Sequence, residues 1–504
     1  MRLRSLAPIP VLPRLPPSPA TPPLRVAWIA SWLVLAAATL LPARAAGDAV
    51  APGLEASLQI GDWATGLGPV TDLAFLADGR AVIVEKGGAV KLRATDGTVT
   101  TAGTFSVDTG SEKGLLGVAV DPAFATSRRL FFYYSASGAA GGTDLDRHRV
   151  VSATLKADGT LDAASEKVLV RGLRGPANHD GGGLAIGPDG LLYVGVGDTG
   201  CNSGAPPGGS ISNWFGTCLS NGNGKILRVN LDGSIPVDNP LVGVAQATAC
   251  GASCGVAISA TAPAPPRPDL WAWGFRNPFR LWFDPTTGHL WVGDVGEVSY
   301  EEIDVVKGGR HHGWPFREGG AGYPASRCRE VLPDTGDCVD PVYSCSHGTV
   351  AGLDGQCGCI LGGAIVDGAT WPSAVRGRYV FGDCTNGKIW SLGLNGARDG
   401  VAPLPGSPRA DLAQITGTPT AIRLGPDGAA YLAVLDGRVV RLGPPGSAPP
   451  ATTPEKPPAA SGCASTGGGA TLPAFLALIL LGRRLRRGGA LGYRLSRYPR
   501  EESR

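Results

Sequence analysis

The chain has little net charge and a single methionine, Met1. Its 504 residues include 45 Lys and Arg against 42 Asp and Glu, so the formal net charge is only +3. The surplus comes largely from the two ends, and no basic patch is present between them, which excludes nucleic acid as a partner. The C-terminal apolar run, residues 470–481, is shorter than the roughly 20 residues that a stable transmembrane helix needs.

Glycine and proline, by contrast, are abundant, with 76 and 43 residues. The glycines lie in turns between apolar runs, which is typical of a β protein with many turns rather than of a disordered chain. A unit recurs in which a turn with Asp or Gly is followed by an apolar-aromatic strand, a small-residue turn and a second strand. It is found at residues 78–92, 121–134, 188–198, 284–294, 377–392 and 426–442. This repetition predicts an all-β fold, a six-bladed β-propeller with insertions, although a sandwich would also contain many short strands.

The two ends have the composition of targeting segments. Arginines precede an apolar run at residues 26–41 and the stretch Ala43-Arg44-Ala45, which predicts a signal peptide over residues 1–46 and an exported protein, periplasmic or at the cell surface. The predicted propeller, residues 47–443, is followed by a Pro/Ala/Thr-rich linker, residues 444–462. Residues 463–504 combine Cys463, the short apolar run and an arginine cluster. They resemble the C-terminal sorting tails of exported bacterial proteins, which implies contact with the membrane through the tail; a marginal tail anchor is the alternative.

Eleven cysteines suit an oxidising compartment. Five of them are too close together for a plain strand layout and predict a disulfide-stapled, cysteine-rich loop insertion: Cys328, Cys338, Cys345, Cys357 and Cys359. A zinc site that includes His347 is the alternative, but the spacing does not match a standard zinc pattern.

A predicted hairpin over residues 178–198 has a titratable group at each outer end, His179 and Asp198. Because two antiparallel strands joined by a tight turn bring their outer ends together, we expect these two side chains to be neighbours. A carboxylate beside a histidine is the usual arrangement for a general base held in one tautomer. The alternative is a loop histidine with a structural Asp partner.

Several ordered motifs carry a family resemblance. They are residues 114–122 (GLLGVAVDP), the His179 hairpin, 224–236 (GKILRVNLDGSIP), 273–278 (WGFRNP), 293–297 (GDVGE), 300–304 (YEEID) and 313–315 (GWP). Together they resemble the glucose/sorbosone dehydrogenase family, secreted six-bladed propellers that include aldose dehydrogenases dependent on pyrroloquinoline quinone (PQQ). The resemblance covers about residues 54–442 and implies oxidation of the C1 hydroxyl of an aldose to a lactone, with PQQ, calcium and an external electron acceptor.

The resemblance also implies roles for individual residues. His179 matches the base that removes the C1 hydroxyl proton, and Asp198 matches the carboxylate that orients it. Arg276 and Asn277 match groups that bind the quinone oxygens. Glu112 falls where the glucose enzymes carry Gln in the cofactor site.

Backbone carbonyls of Gly296 and Glu297 match the calcium ligands, as suits a hard cation. Glu301, Glu302 and Asp304 are predicted on a solvated strand edge rather than as metal ligands. Glu318 is predicted as an exposed loop carboxylate, with a structural calcium site as the alternative. His311 and His312 are predicted in a surface loop, with a substrate-facing role as the alternative.

One part of the family pattern is missing. The PQQ enzymes hold the cofactor's carboxylates with a Lys in the fifth blade and two Arg before the sixth, whereas here residues 382–387 (GDCTNG) and 416–420 (TGTPT) contain no cation. Lys388 and Arg423 are close by but are predicted inside strands, pointing away from the mouth or into the core. Losing three charge-assisted hydrogen bonds would weaken PQQ binding by about three orders of magnitude.

Three functions therefore remain open. The first is a PQQ- and calcium-dependent sugar dehydrogenase with an altered cofactor clamp. The second is a non-catalytic, calcium-containing extracellular propeller that binds carbohydrate or protein, as implied by the hedgehog-interacting-protein-like branch of the same family. The third is a propeller lactonase, for which we see no ring of carboxylate and Asn side chains around a metal.

Overall fold

The computed structural model describes residues 47–138, 146–175, 178–200, 213–250, 260–348, 354–402 and 408–446. The predicted signal peptide, the C-terminal tail and nearly all of the linker lie outside these residues and stay predictions. Within the described ranges, no helix has the length and apolar character needed to cross a membrane.

Six antiparallel sheets, the blades, form the ring of the described chain, as the sequence predicted; five have four strands and one has five. Two strands come before blade 1 along the chain and pair into later blades, β1 (Ala49–Val50) and β2 (Gln59–Ala64). Blade 1 contains β3 (Val70–Phe75), β4 (Ala81–Glu85), β5 (Ala89–Arg93) and β6 (Val99–Thr104); blade 2 contains β7 (Leu115–Val120), β8 (Arg129–Ser135), β9 (His148–Leu155) and β10 (Leu161–Leu173). A short helix, α1 (Phe124–Ser127), connects β7 to β8.

The third and fourth blades contain insertions. Blade 3 is β11 (Leu184–Ile186), β12 (Leu192–Val196), β13 (Lys225–Val229) and β16 (Leu270–Trp273), interrupted by the hairpin β14 (Ala247–Cys250) and β15 (Ala260–Ala264). Blade 4 is β17 (Pro278–Phe283), β18 (Leu290–Asp294), β19 (Tyr300–Val305) and β22 (Tyr343–Ser346), interrupted by β20 (Arg317–Glu318), β21 (Ala321–Gly322) and a 3-10 helix, Ala325–Glu330.

The last two blades use both ends of the described chain. Blade 5 is β23 (Ile360–Ile365), β24 (Tyr379–Asp383), β25 (Lys388–Leu392) and β26 (Arg409–Gln414), extended by β1. Blade 6 is β27 (Pro419–Leu424), β28 (Ala430–Val434), β29 (Arg438–Gly443) and, as its outer strand, β2. The ring is therefore closed by hydrogen bonds between an N-terminal and a C-terminal strand.

The first strand of each blade lies innermost, because it pairs within its own sheet on one side only and contacts the first strands of neighbouring blades. The N-terminal ends of these inner strands point to one end of the ring, which we call the mouth. Since each second strand runs antiparallel to the first, its C-terminal end also lies at the mouth. Residues just before an inner strand and just after a second strand are thus brought together from distant parts of the sequence.

Apolar side chains between the blades form the core, and the largest fully buried ones are Trp273, Trp291 and Trp390. Lys388 and Arg423 lie within β25 and β27, as predicted.

Disulfides staple the cysteine-rich segment, as predicted. Cys328 pairs with Cys338, Cys345 with Cys357, and Cys359 with Cys384. A fourth disulfide joins Cys218 to Cys250 in blade 3. Because all five cysteines of the segment are oxidised in pairs, the zinc alternative was wrong.

Candidate active site at the mouth

His179 and Asp198 meet at the mouth of blade 3, as the hairpin predicted. β11 and β12 pair in register from Leu184 with Val194, which brings the segments before and after them side by side. Nδ1 of His179 lies 2.6 Å from Oδ1 of Asp198. His179 has a left-handed backbone with φ of 55°, so its ring is directed by an unusual conformation rather than by a regular strand.

The Asp198 carboxylate is fully buried and surrounded by donors. It accepts hydrogen bonds from the Gly200 N–H at 2.9 Å, from Nδ2 of Asn213 at 3.0 Å and from Nε1 of Trp314 at 2.8 Å. Burial alone would raise the pKa of Asp198, but the charge and hydrogen bond of His179 outweigh it and hold that pKa below 3.8. Asp198 is therefore ionised and fixes which nitrogen of His179 carries the proton.

Two of these donors were missed from sequence. Trp314 belongs to the Gly-Trp-Pro motif, so the motif itself was the available signal. Asn213 follows a stretch without periodicity, and nothing in the pattern pointed to it.

Side chains from blades 2 and 4 hold the His179 segment from both sides. Oε2 of Glu112, just before β7, accepts the His179 N–H at 2.8 Å. Oδ1 of Asn277, just before β17, accepts the Gly181 N–H at 3.0 Å. Part of Glu112 is exposed to solvent, yet protein atoms crowd its carboxylate, and this burial raises its pKa. The structure thus brings Glu112, His179 and Asn277 together.

Arg276 lies next to Asn277 but its charge is already paired. Nε donates to Oε2 of Glu297 at 2.7 Å, Nη2 donates to the same oxygen, and Nη1 donates to the Val295 carbonyl at 2.9 Å. The backbone N–H groups of Arg276 and Asn277 donate to the buried carboxylate of Asp294 at 3.0 and 2.6 Å. A ligand oxygen approaching Arg276 would meet a guanidinium whose three nitrogens already have protein acceptors.

The loop after β18 contains the two predicted calcium-binding carbonyls. A side chain at Gly296 would overlap the carbonyl of Tyr300, so only glycine permits this tight turn. One carboxylate oxygen of Glu318 accepts four consecutive N–H groups, from Glu297 to Tyr300, at 2.7 to 3.1 Å. Among the described hydrogen bonds, the carbonyls of Gly296 and Glu297 accept none, so both oxygens are available to a cation.

Below this loop, buried carboxylates form a cluster that the sequence did not predict. Oxygen atoms of Asp294, Glu302 and Asp304 lie within 4.8 Å of one another, and Oδ2 of Asp304 has no hydrogen-bond partner in the described structure. Burial and the neighbouring carboxylates raise the pKa values of Asp294 and Glu302 well above their ordinary range. Mutually repelling carboxylates with an unsatisfied oxygen fit a divalent cation with oxygen ligands.

The expectation of solvated edges and loops was wrong for this whole region. The residues concerned are all buried: Glu301, Glu302, Asp304, His311, His312 and Glu318. β22, which belongs to the cysteine-rich segment, pairs with β19. It covers the edge of β19 that would otherwise face water, and the loops nearby lie under the same segment. His347 from that segment binds Oε1 of Glu301 at 2.6 Å rather than a metal.

The region of the missing cofactor clamp contains one cation, Lys388 at the start of β25, which is half-buried and has no side-chain hydrogen bond or ion pair among those described. In blade 5, buried Asp383 and the Cys359–Cys384 disulfide occupy the mouth end of β24. In blade 6, Arg438 is bound to Asp48, and the half-buried Arg423 is paired with Asp72. The clamp positions therefore do not fit a tricarboxylate in the way that the family resemblance implies.

Comparisons with known proteins agree with this architecture. The family model described as glucose/sorbosone dehydrogenase matches residues 68–256 and 259–441. The chain is 26% identical over 266 residues to aldose sugar dehydrogenase YliI of Escherichia coli, which covers 51% of this chain and 62% of that protein. It is 26% identical over 342 residues to the HIPL2 protein of Arabidopsis thaliana, which covers 57% of this chain and 45% of that protein. The aligned part is thus less than two thirds of either relative.

Solved structures extend the comparison to the whole ring. A crystal structure of glucose dehydrogenase superposes with a TM-score of 0.57 at 26% identity, covering 76% of this chain and 99% of that one. The PQQ-bound aldose sugar dehydrogenase of Streptomyces coelicolor, 20% identical with a TM-score of 0.54 over 77% of this chain and 98% of that one, shares the fold. The six blades, the ordered motifs and the family match over most of the chain establish that it belongs to the glucose/sorbosone dehydrogenase family.

Proposed function

We propose that this protein is a PQQ- and calcium-dependent oxidoreductase that oxidises the C1 hydroxyl of an aldose to a lactone. The observation that carries the proposal is the His179–Asp198 pair at the mouth, with a 2.6 Å contact on Nδ1. Among the hydrogen bonds of the described residues, Nε2 of His179 has none, so this nitrogen is available to a substrate hydroxyl. Membership of a sugar dehydrogenase family supports the same chemistry.

The protein's own part in this reaction is proton transfer. Nε2 of His179 would accept the proton of the C1 hydroxyl while the C1 hydrogen departs as hydride with both bonding electrons, and the ionised Asp198 would stabilise the imidazolium that forms. Glu112 and Asn277 keep the His179 segment in place through its backbone N–H groups, so the ring does not have to reorient. When bound, PQQ supplies the ortho-quinone that takes the two electrons from the sugar.

The residues at the mouth fit calcium better than they fit PQQ. Calcium fits, because two unengaged carbonyls and a cluster of buried carboxylates lie in and below the loop after β18. For PQQ, Arg276 and Asn277 lie at the mouth, but Arg276 is paired with Glu297. The blade 5 and blade 6 positions that would hold the carboxylates of PQQ have Asp383 and Thr416 instead of cations. We therefore expect PQQ affinity to be weaker than the family pattern implies.

Export and the remaining partners are part of the same proposal. Four disulfides in the described residues support folding in an oxidising compartment such as the periplasm or the cell surface. An external electron acceptor must reoxidise the quinone, and the tail, residues 463–504, would keep the protein at the membrane.

A non-catalytic, calcium-containing propeller that binds carbohydrate or protein is the second candidate. The Cys359–Cys384 disulfide beside Asp383 favours it, because it fills the cofactor-clamp position of blade 5 with a rigid, acidic turn.

PQQ titration of the calcium-loaded protein, followed by calorimetry and by quinone absorbance, separates the two candidates. The dehydrogenase predicts saturable binding at micromolar concentration or tighter, and dye-linked oxidation of at least one aldose. Absence of binding at hundreds of micromolar would contradict it and favour the binding protein. A sample treated with a chelator serves as the control for binding that depends on calcium.

A further inference from the structure

Two arginines cross the propeller axis beneath the mouth. Arg280 of β17 in blade 4 donates from Nη2 to the carbonyl of Thr71 in blade 1 at 2.7 Å and to that of Leu116 in blade 2 at 3.3 Å. Arg423 of β27 in blade 6 donates from Nη1 to the Leu281 carbonyl in blade 4 at 3.2 Å. Since these blades are not neighbours in the ring, both side chains must pass through its centre.

One carboxylate accompanies these two guanidinium groups. Asp72 accepts Nε and Nη2 of Arg423 at 2.8 and 2.7 Å, and its oxygens also accept the Leu73 and Val118 N–H groups. Asp72 thus neutralises Arg423. We call Asp72, Arg280 and Arg423 the axial plug.

Arg280 lacks an ion-pair contact of its own, and Asp72 acts on it only as a nearby charge. Among the described ion pairs none involves Arg280, its acceptors are backbone carbonyls only, and its Nε has no hydrogen-bond partner. Arg280 is 3% exposed. Burial lowers the pKa of Arg280 to about 10, which still leaves it protonated at neutral pH. Asp72 is the single carboxylate of the axial plug and acts on both guanidinium groups, so the plug keeps one positive charge in surplus. An uncompensated buried charge is strongly destabilising, and an anion beside the plug would offset it.

A cavity of about 320 Å³ adjoins the plug at the end of the ring opposite the mouth. It is lined by the C-terminal halves of inner strands, whose small residues Ala74, Ala119 and Ala185 leave the axis open, and by Arg423. The inner strands also have unpaired backbone groups along their axial edges. A cavity of this size with mostly apolar side chains and a guanidinium is the type that binds a small organic ligand.

We propose that the axial plug and the adjoining cavity form a binding site for one monovalent anion, distinct from the His179 site. The anion is either a halide or the carboxylate of a small acid whose apolar part occupies the cavity. The anion lies beside Arg423, the plug residue that lines the cavity, and offsets the surplus positive charge that Arg280 brings to the plug. It requires neither PQQ nor calcium.

Thermal unfolding of the full chain at constant ionic strength tests the site, with sodium bromide or sodium hexanoate replacing sodium sulfate. We expect a saturable rise in Tm of roughly 3 to 5 °C at concentrations about 100-fold above half-saturation. If neither anion raises Tm relative to sulfate, the proposal is wrong.

Substitutions show which arginine the anion-dependent rise in Tm depends on. Arg280→Met and Arg280→Gln should unfold cooperatively and lose the dependence on the anion, because the uncompensated charge is gone. Arg267→Gln is the control, since Arg267 is a half-buried arginine bound by its own carboxylate, Asp269, and should retain the dependence. Persistence of the dependence in both Arg280 variants would contradict the proposal.

Two further variants identify the anion and separate this site from the mouth. Ala185→Leu should fill the cavity and abolish the hexanoate response; a bromide response that survives assigns the site to a halide. His179→Ala should leave the anion response unchanged, whatever the outcome for sugar oxidation. An anion response that disappears in His179→Ala would mean that the anion binds at the mouth, and the proposal would be wrong.

Discussion

At the scale of single residues, the candidate site is defined by a difference in hydrogen bonding: both carboxylate oxygens of Asp198 have partners, whereas one ring nitrogen of His179 has none among the described hydrogen bonds. Asp198 has a hydrogen bond to each oxygen from groups in several segments, whereas His179 keeps Nε2 unengaged in the described structure. This contrast distinguishes the pair from two other acidic residues at the mouth. Asp294 and Asp383 are the last residues of the second strands of blades 4 and 5, and they bind backbone N–H groups instead of a histidine.

Replacing the base should remove activity without removing the fold. We expect His179→Ala to lower dye-linked aldose oxidation by roughly two to four orders of magnitude and to change Tm little, because the ring makes a single hydrogen bond. The control is His289→Ala, outside the site, whose ring contacts the Arg398 carbonyl. A large fall in Tm with unchanged oxidation would show that His179 is structural.

The lowered pKa of Asp198 makes a prediction about pH. A carboxyl group whose pKa is lower in the folded state stabilises the protein above its ordinary pKa, and this stability is lost as pH falls through the folded value. The free energy of unfolding of wild type minus that of Asp198→Asn should thus be largest above about pH 5 and shrink toward about pH 3. Urea unfolding across this range measures it, and a difference that does not change with pH would contradict the assignment.

At the scale of elements, the β11–β12 hairpin depends on glycines for two different reasons. A Cβ at Gly197 would overlap the His179 carbonyl and lie 2.8 Å from Oδ1 of Asn277, so the requirement there is space. Gly190 in the turn has a φ of 75° with nothing within 4 Å, so the requirement there is conformation alone.

The two glycines should respond differently to substitution. We expect Gly197→Ala to lower the free energy of unfolding by about 3 kcal/mol or more and to displace His179. Gly190→Ala, the control in the same hairpin, should cost about 1 kcal/mol and leave the His179–Asp198 contact intact. Urea unfolding and the ring NMR signals of the six histidines measure both effects; equal costs would contradict the steric argument.

The second and third strands of blade 4 contain the carboxylate cluster, and calcium should stabilise it. Calcium should raise Tm, chelation should lower it, and Glu302→Gln should reduce the response, because one of the repelling carboxylates is then neutral. Glu166→Gln is the control, since Glu166 binds Tyr134 in blade 2. Equal calcium responses in both variants would show that the cation binds elsewhere.

At the scale of the whole molecule, the ring is closed by β2 on β29. Gln59 pairs with Gly443, so the outer strand of blade 6 begins beside the end of β29. The closing strand comes from the N-terminal side of the chain, and without it blade 6 has an unpaired edge.

This closure can be tested with a permuted chain. Deleting residues 1–66 should abolish the cooperative unfolding transition, whereas moving residues 57–66 behind residue 446 should restore it, because the strand then pairs through a hairpin. Calorimetry compares the two chains. A cooperative transition in the deleted chain would show that closure is not needed for folding.

The sequence by itself determined the six blades, the His179–Asp198 contact and the stapling of the cysteine-rich segment. Each of these follows from short-range signals: turn residues between alternating strands, two groups at the open end of one hairpin, and cysteines close together in sequence. The family motifs added roles for Arg276, Asn277, Gly296 and Glu297, which stay predictions.

The tertiary structure alone decided which polar groups are buried. Glu302, Asp304 and Glu318 resemble exposed strand and loop residues in sequence, and only the cover provided by β22 removes them from water. Asn213 reaches Asp198, and Arg280 reaches Thr71, across separations that no local pattern encodes. The physical reason is that ring closure, rather than strand periodicity, determines which ends of the blades face one another.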